Sequence, residues 1–333
     1  MTVSDLSERE LISRLRRQLP PAPPWMTVGI GDDAAVVETV RNELDVFTVD
    51  AIVEGVHFDR RFTPPEAIGH RALAVNLSDL AAMGATPRLA LLSLALPASL
   101  PADEFDAMIG GLAALALKHN LHVAGGNLTR SSGPLVVDVT AVGTIKRRGV
   151  LTRAGARAGD EIYVTGSVGG ARAGLQYLQL GTPDEGMAPA AQRFLYPEPR
   201  VRAGLLLGRN RAATACMDLS DGLADAVRQV TEASGVGARL DAAALPVDPE
   251  TRRWFASRRA DVVAEVLTGG DDYELMFTVS RKLRGRLRTV ARHAGVPLTR
   301  IGVCTPERDL CISGTFEGQT VDAPLPHGFS HFR

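Results

Sequence analysis

The sequence has 333 residues, 45% of them hydrophobic and 23% charged, with a formal net charge of -1. That length holds two ordinary domains or one large one, and the balance is that of a globular protein. Near-neutral charge excludes a general attraction to nucleic acid or to an anionic membrane, so neither is expected as a partner and any phosphate binding must be local. The three cysteines, Cys216, Cys304 and Cys311, lack CxxC spacing, which argues for a reducing compartment and against a zinc or disulfide framework. Residues 1–10 are polar and acidic, without a signal-peptide core, and no stretch reaches the roughly 18 apolar residues of a membrane span. A cytoplasmic protein is expected.

In chain order, residues 4–17 place Leu6, Leu11, Ile12 and Leu15 on one side, which predicts a short amphipathic helix. The prolines of 20–24 break it into an arm. Residues 46–49 read as a buried strand, and 65–83 as a long helix with Pro65 at its start and Gly84 past its end. A strand at 89–96, a helix at 102–119 and strands at 122–124 and 135–146 complete a first mixed unit. The charged, glycine-containing run 146–160 marks a boundary, giving domains 1–147 and 148–333. Beyond it, strands are predicted at 161–165, 213–217, 273–279 and 298–303, and helices at 170–180, 201–211, 222–233 and 281–294. Alternating strands and helices in both halves give an α/β (α+β) protein of two domains.

Eight aspartates fall in turn-like segments: Gly29-Ile-Gly-Asp-Asp33, Thr48-Val-Asp50, Asn76-Leu-Ser-Asp79, Asp218-Leu-Ser-Asp221 and Gly269-Gly-Asp-Asp-Tyr-Glu274. Oxygen ligands of this kind suit magnesium, which binds through one or two carboxylates plus substrate phosphates. No lysine-bearing phosphate loop accompanies them, so the pattern points to a nucleotide enzyme that holds phosphates through metal. Adjacent Asp32 and Asp33 face opposite ways on an extended chain. Asn76 and Asp79 share one helix face amid Leu73, Leu77, Leu80 and Met83, where a carboxylate is costly unless paired or ligating. Asp218 ends a strand, and Ser220 or Asp221 is equally suited to capping the helix that follows. Gly125-Gly126-Asn127 with Arg130, and Thr152-Arg153, add a close-approach backbone site and guanidinium donors. Residues 165–170, Thr-Gly-Ser-Val-Gly-Gly, read as a phosphate-binding turn. His57 follows Asp50 closely, and a lone histidine of this kind is more often structural.

Taken together, these segments, with Gly55-Val-His-Phe58, Leu151-Thr-Arg153, Tyr163-Val-Thr-Gly166 and the final Gly328-Phe-Ser-His-Phe332, resemble the thiamine-monophosphate kinase family, within the aminoimidazole ribonucleotide synthetase superfamily. The resemblance implies ATP- and Mg2+-dependent phosphorylation of thiamine monophosphate to thiamine diphosphate by direct in-line transfer. It also implies a homodimer whose N-terminal domains build a β-barrel, with an α/β C-terminal domain. Carried over by position, Asp33, Thr48, Val49, Asp50, Asp79, Asn127, Asp218 and Asp221 form the shell for several Mg2+ ions. Val49 would act through its carbonyl. Gly126, Asn127, Arg153 and Ser220 contact ATP, and His57, Asp271 and Phe329 contact thiamine monophosphate. No side chain is assigned a covalent or general-base role.

Two departures stand out. Asn127 replaces the usual aspartate, which implies weaker magnesium binding there, and Asp271 stands where Glu is common. Among superfamily relatives, the purine ring-closing synthetase would need different substrate loops. Selenophosphate synthetase would need a reactive cysteine early in the chain, and the hydrogenase-maturation relative has a cysteine where this sequence has Phe332-Arg333. A non-catalytic nucleotide-binding protein on the same scaffold is the other reading, and Asn127 is its only support.

Overall fold

The computed structural model describes residues 1–181 and 183–328. The chain divides into two compact units, residues 1–80 with 86–146 and residues 81–85 with 147–333.

The first unit contains α1 (Glu8–Gln18), β1 (Met26–Val28), β2 (Val36–Val37), β3 (Leu44–Val53), α2 (Pro65–Ala82), β4 (Thr86–Pro97), α3 (Ala102–Lys118), β5 (His122–Ser131) and β6 (Val136–Ile145). Its main sheet is open, in the order β3-β6-β4-β5, with only the β4–β5 pair parallel. That pair needs a crossover, and α3 supplies it. One sheet face lies under helices. α2 is apolar almost all round, and Ala67, Ile68, Leu73, Leu77 and Leu80 are each at most 1% exposed, as befits a helix enclosed on every side. It crosses α3 at backbone distance. A Cβ on Gly69 would lie 1.8 Å from the Met108 carbonyl oxygen, and one on Gly111 2.0 Å from that of Glu66. These two glycines therefore fix how closely α2, with Asp79 on it, seats against α3. On the other face, Phe47 and Val49 of β3 are 69% and 61% exposed and Leu91 of β4 is 39% exposed.

The first predicted helix begins later than expected, at Glu8, because Ser7 is its N-cap. The Ser7 side chain accepts from the Glu10 amide while Glu10 accepts from the Ser7 amide, a capping box. β5 runs on through Gly125-Gly126-Asn127 to Ser131 instead of stopping at 124. A Cβ on Gly126 would meet the Leu92 carbonyl oxygen at 1.9 Å, so glycine here lets two parallel strands close together and does not mark a loop.

The second unit contains β7 (Glu161–Thr165), α4 (Gly170–Leu180), α5 (Ala188–Leu195), α6 (Val201–Asn210), β8 (Ala215–Asp218), α7 (Leu223–Ser234), β9 (Gly237–Asp241), α8 (Pro249–Ser257), α9 (Val262–Thr268), β10 (Leu275–Val279), α10 (Arg284–His293), β11 (Leu298–Thr305), β12 (Leu310–Phe316) and β13 (Gln319–Pro324). Its seven strands run β13-β12-β9-β11-β7-β10-β8, antiparallel except for β9 with β12. Val164, Val227, Phe255 and Ile301 belong to its core. Strand–helix alternation predicted the mixed composition but passed over the β12–β13 hairpin. Its two-residue turn is Glu317-Gly318, both at positive φ (49° and 83°). That is the type I′ geometry usually announced by Asn-Gly, and a glutamate in the first position hides it. Among the described residues no helix is long and apolar enough to cross a membrane.

Candidate active site

In the first unit, strand alternation puts Thr48 and Asp50 on the helix-covered face of β3 and Val49 on the open face. The Thr48 hydroxyl donates to the Asp79 carboxylate of α2. Thr48 and Asp50 of β3 thus share one corner with Asp79 of α2, distant from them in sequence, while Val49 offers that corner only backbone. The turn after β3 carries His57, whose Nδ1 accepts from the Val53 amide at 3.1 Å. In the neutral imidazole the proton therefore sits on Nε2. The turn is held by the Gly55 amide donating to the Phe58 carbonyl at 2.8 Å and by Phe58, which is 3% exposed.

Asp33 stands elsewhere in the same unit. With Gly126 and Asn127 it lines a cavity of about 1080 Å³, whose other walls include Leu92 and the α1 residues Arg9 and Arg16. Sheet register separates two of these neighbours. Asp50, Val139, Leu92 and Gly126 form one cross-strand row, and Ala51, Asp138, Ser93 and Asn127 form the next. The Asn127 side chain accordingly takes the sheet face opposite to that of Asp50. The arrangement brings Thr48, Asp50 and Asp79 together in one place and Asp33, Gly126 and Asn127 in another.

In the second unit, the Asp218-Leu-Ser-Asp221 and Gly269-to-Glu274 segments are joined backbone to backbone. The Asp271 amide donates to the Ser220 carbonyl (2.8 Å), the Tyr273 amide to Leu219 (3.1 Å) and the Leu219 amide to Glu274 (2.8 Å). A Cβ on Gly270 would strike the Ser220 carbonyl oxygen at 2.4 Å. Asp271 and Tyr273 both adopt left-handed backbone, φ 67° and 50°. Aspartate tolerates this better than most residues, and the Tyr273 hydroxyl donates to Asp271 Oδ1 at 3.0 Å. Asp218, Ser220, Asp221 and Asp271 therefore collect on one pair of loops, with Asp218 3% exposed. Arg153 is turned toward α7, donating to Gln229 Oε1 at 2.6 Å. Gly328 lies close against Asp221 and Asp225: a Cβ on it would fall 2.8 Å from the Asp221 carbonyl oxygen. Phe329 lies outside the described residues.

The other two acids of the Gly269-to-Glu274 segment are structural. Asp272 accepts from the Gly169 and Ala171 amides at 2.5 and 3.0 Å, and burial pushes its carboxyl up to about 6. The turn at 165–170, expected to bind phosphate, therefore spends these amides on the protein's own carboxylate. Glu274 is fully buried and meets Arg200 in a two-pronged pair, Nε to Oε2 at 2.6 Å and Nη2 to Oε1 at 2.5 Å, with Thr165 donating at 2.6 Å. Arg193 bridges Asp248 and Glu274. Sequence reasoning passed over both arginines. The proline-bracketed run Tyr196-Pro-Glu-Pro-Arg200, a rigid presentation of one guanidinium, was the available signal.

Among the described residues no three His, Cys, Asp or Glu side chains gather closely enough to hold a metal by themselves. The donors that do meet at Thr48, Asp50 and Asp79 are all oxygen, and few. That fits a hard cation which takes most of its ligands from phosphates and water.

Residues 31–145 match the model of the AIR synthase related protein, N-terminal domain, and residues 157–313 that of its C-terminal domain. Fold and site thus define an AIR-synthase-related α/β protein with two acidic, oxygen-rich corners. Thiamine-monophosphate kinase of Escherichia coli (strain K12) is 37% identical over 331 residues, 98% of each chain. A crystal structure of thiamine-monophosphate kinase from Stenotrophomonas maltophilia K279a is 38% identical with TM-score 0.82, covering 95% of this chain and 98% of that one. AaThiL complexed with AMPPCP and TMP is 30% identical with TM-score 0.75, covering 97% and 98%. On this identity and coverage the chain belongs to the thiamine-monophosphate kinase family.

Proposed function

We propose that the protein transfers the γ-phosphoryl group of ATP to the phosphate of thiamine monophosphate, releasing thiamine diphosphate and ADP. The observation that carries this reading is the oxygen-only corner of Thr48, Asp50 and Asp79, in a chain whose relative AaThiL is complexed with AMPPCP and TMP. The acceptor oxygen belongs to a phosphate monoester, largely ionised near neutral pH, so the chain needs no strong general base. Its task is positioning. Asp79, oriented by the Thr48 hydroxyl, and Asp50 would present carboxylates to Mg2+ in the first unit, with the Val49 carbonyl beside them, while Asp33 and, in the second unit, Asp218 and Asp221 are assigned as further Mg2+ ligands. Bound Mg2+ supplies neutralisation of the phosphate charge in the transition state.

Gly126, Asn127, Arg153 and Ser220 are assigned to ATP, and His57, Asp271 and Phe329 to thiamine monophosphate. The neutral tautomer of His57 offers Nε2–H as a donor. Domain 1–147 is the nucleotide, metal and dimerisation domain, and 148–333 the α/β domain. A homodimer closing its two N-terminal sheets into a barrel gives the exposed apolar face of Phe47, Val49 and Leu91 a partner surface. Phe47→Asp would then yield monomers in light scattering, whereas a monomeric wild type would remove the barrel. The reaction is placed in the cytoplasm. Direct transfer requires both substrates bound at once, so initial rates should give intersecting double-reciprocal lines. Parallel lines, the mark of a covalent intermediate, would contradict it.

A further inference from the structure

One wall of the cavity beside Asp33 and Gly126 is a face of α1 that carries arginines. Arg9 and Arg16 of α1 both line the cavity. They stand seven residues apart, hence on one side of the helix and about 10 Å apart along its axis. Among the described residues neither makes an ion pair. Arg14, on another side of the same helix, does, bridging to Asp106 of α3.

The helix itself is fixed. Leu11 and Leu15 are each 7% exposed, the Ser7–Glu10 capping box closes its start, and the Arg14 bridge ties it to α3. Arg16 leans over the glycine turn, with Nη1 3.2 Å from where a Cβ on Gly31 would stand. Gly31, at φ 121°, thus leaves the guanidinium room above the cavity. Across from these cations, Asp32 and Asp33 line the same space. A polyanionic ligand entering there meets carboxylates on one side and needs cations on the other.

We propose that Arg16 and Arg9 form a cationic clasp for the polyphosphate chain of a nucleoside triphosphate in this cavity. The inference rests on the ATP reading above and adds residues that reading does not use. About 1080 Å³ accommodates a nucleotide. Leu128, half-buried, and the exposed backbone around Gly126 form a partly apolar surface suited to the base, while the two guanidinium groups run along the phosphates. Planar forks of this kind bind phosphate oxygens in pairs.

The test is calorimetric binding of ATP, AMP and adenosine, without thiamine monophosphate, to wild type, Arg16→Gln, Arg9→Gln, Arg16→Lys and the control Arg41→Gln. Arg16→Gln should weaken ATP about 10- to 30-fold, AMP less than about threefold and adenosine not at all, since only charge-assisted contacts to phosphate are lost. Arg9→Gln should show a smaller loss in the same order, Arg16→Lys an intermediate one, and Arg41→Gln none. Melting temperatures should match wild type. Unchanged ATP affinity in Arg16→Gln overturns the clasp, as does parallel weakening of ATP and adenosine, which would mean a merely structural arginine. Wild-type protein that binds no ATP overturns the kinase reading itself, whereas wild-type ATP binding with silent variants overturns the clasp alone.

Discussion

The two acidic corners look alike in sequence and are built in opposite ways. In the first unit the carboxylates of Asp50 and Asp79 come from a strand and a helix that meet at the Thr48–Asp79 hydrogen bond, and the scaffold behind them is apolar. In the second unit the segment Gly269 to Glu274 divides its acids. Asp271 stays at the loop surface, while Asp272 ties down a helix start and Glu274 sits buried against two arginines. Adjacent aspartates of one motif therefore sit in separate environments, set by burial and by which backbone amides lie within reach. Acids held for ligands should cost activity when neutralised, and acids held for the fold should cost stability.

The sharpest separation is expected at the ends of that contrast. Asp79→Asn should lower turnover about 1000-fold or more, roughly 4 kcal/mol of transition-state stabilisation, with an unchanged melting curve. An active, folded variant would take Asp79 out of the metal shell. Arg200→Met leaves Glu274 buried with only the Thr165 hydroxyl and a longer contact to Arg193, and breaking a buried pair costs about 3–5 kcal/mol. Chemical denaturation should show that loss in the second unit, and near-wild-type stability would mean Glu274 is held by Thr165 and Arg193 alone.

A smaller effect is expected from Asp272. Its native carboxyl is raised to about 6 from 3.8, so the fold favours the protonated form. This group's contribution to stability is complete below pH 3.8 and is lost as pH rises through about 6, by at most about 3 kcal/mol. Asp272→Asn should flatten the pH dependence of stability between pH 4 and 7, and an unaltered profile would assign that dependence elsewhere. Glu161, held below the ordinary carboxylate range by hydrogen bonds from Arg284, has the opposite sign. Its contribution is present above pH 4.5 and is lost as acid titrates the folded form. Asp271→Asn, compatible with the left-handed backbone, should raise KM for thiamine monophosphate about tenfold and leave stability alone. The smallest change should come from Asn127→Asp. It should lower the magnesium concentration for half-maximal rate by less than about tenfold, and no change at all would make Asn127 irrelevant to metal.

Much of this was legible in the sequence, because period and punctuation carried it. The long helix through Asn76 and Asp79 ran from Pro65 to a glycine stop as predicted, and Asp218 closed its strand within a residue of the expected place. What escaped depended on partners distant in the chain. Gly125-Gly126 signalled a close backbone approach but not what approaches, and because that neighbour is the Leu92 carbonyl of the adjacent strand, β5 runs on to Ser131 where a stop at 124 was expected. Asp272 looks no different from Asp271 until the Gly169 and Ala171 amides stand beside it. Arg9 and Arg16 read as the polar side of an amphipathic helix, and only the fold shows that side lining a cavity.

The most direct test of the account is thiamine diphosphate formation from thiamine monophosphate and ATP, with and without Mg2+, separated by chromatography and read as thiochrome fluorescence. The account predicts product from wild type only when ATP and Mg2+ are both present, and essentially none from folded Asp79→Asn. Folded wild type that binds ATP yet forms no thiamine diphosphate would contradict it.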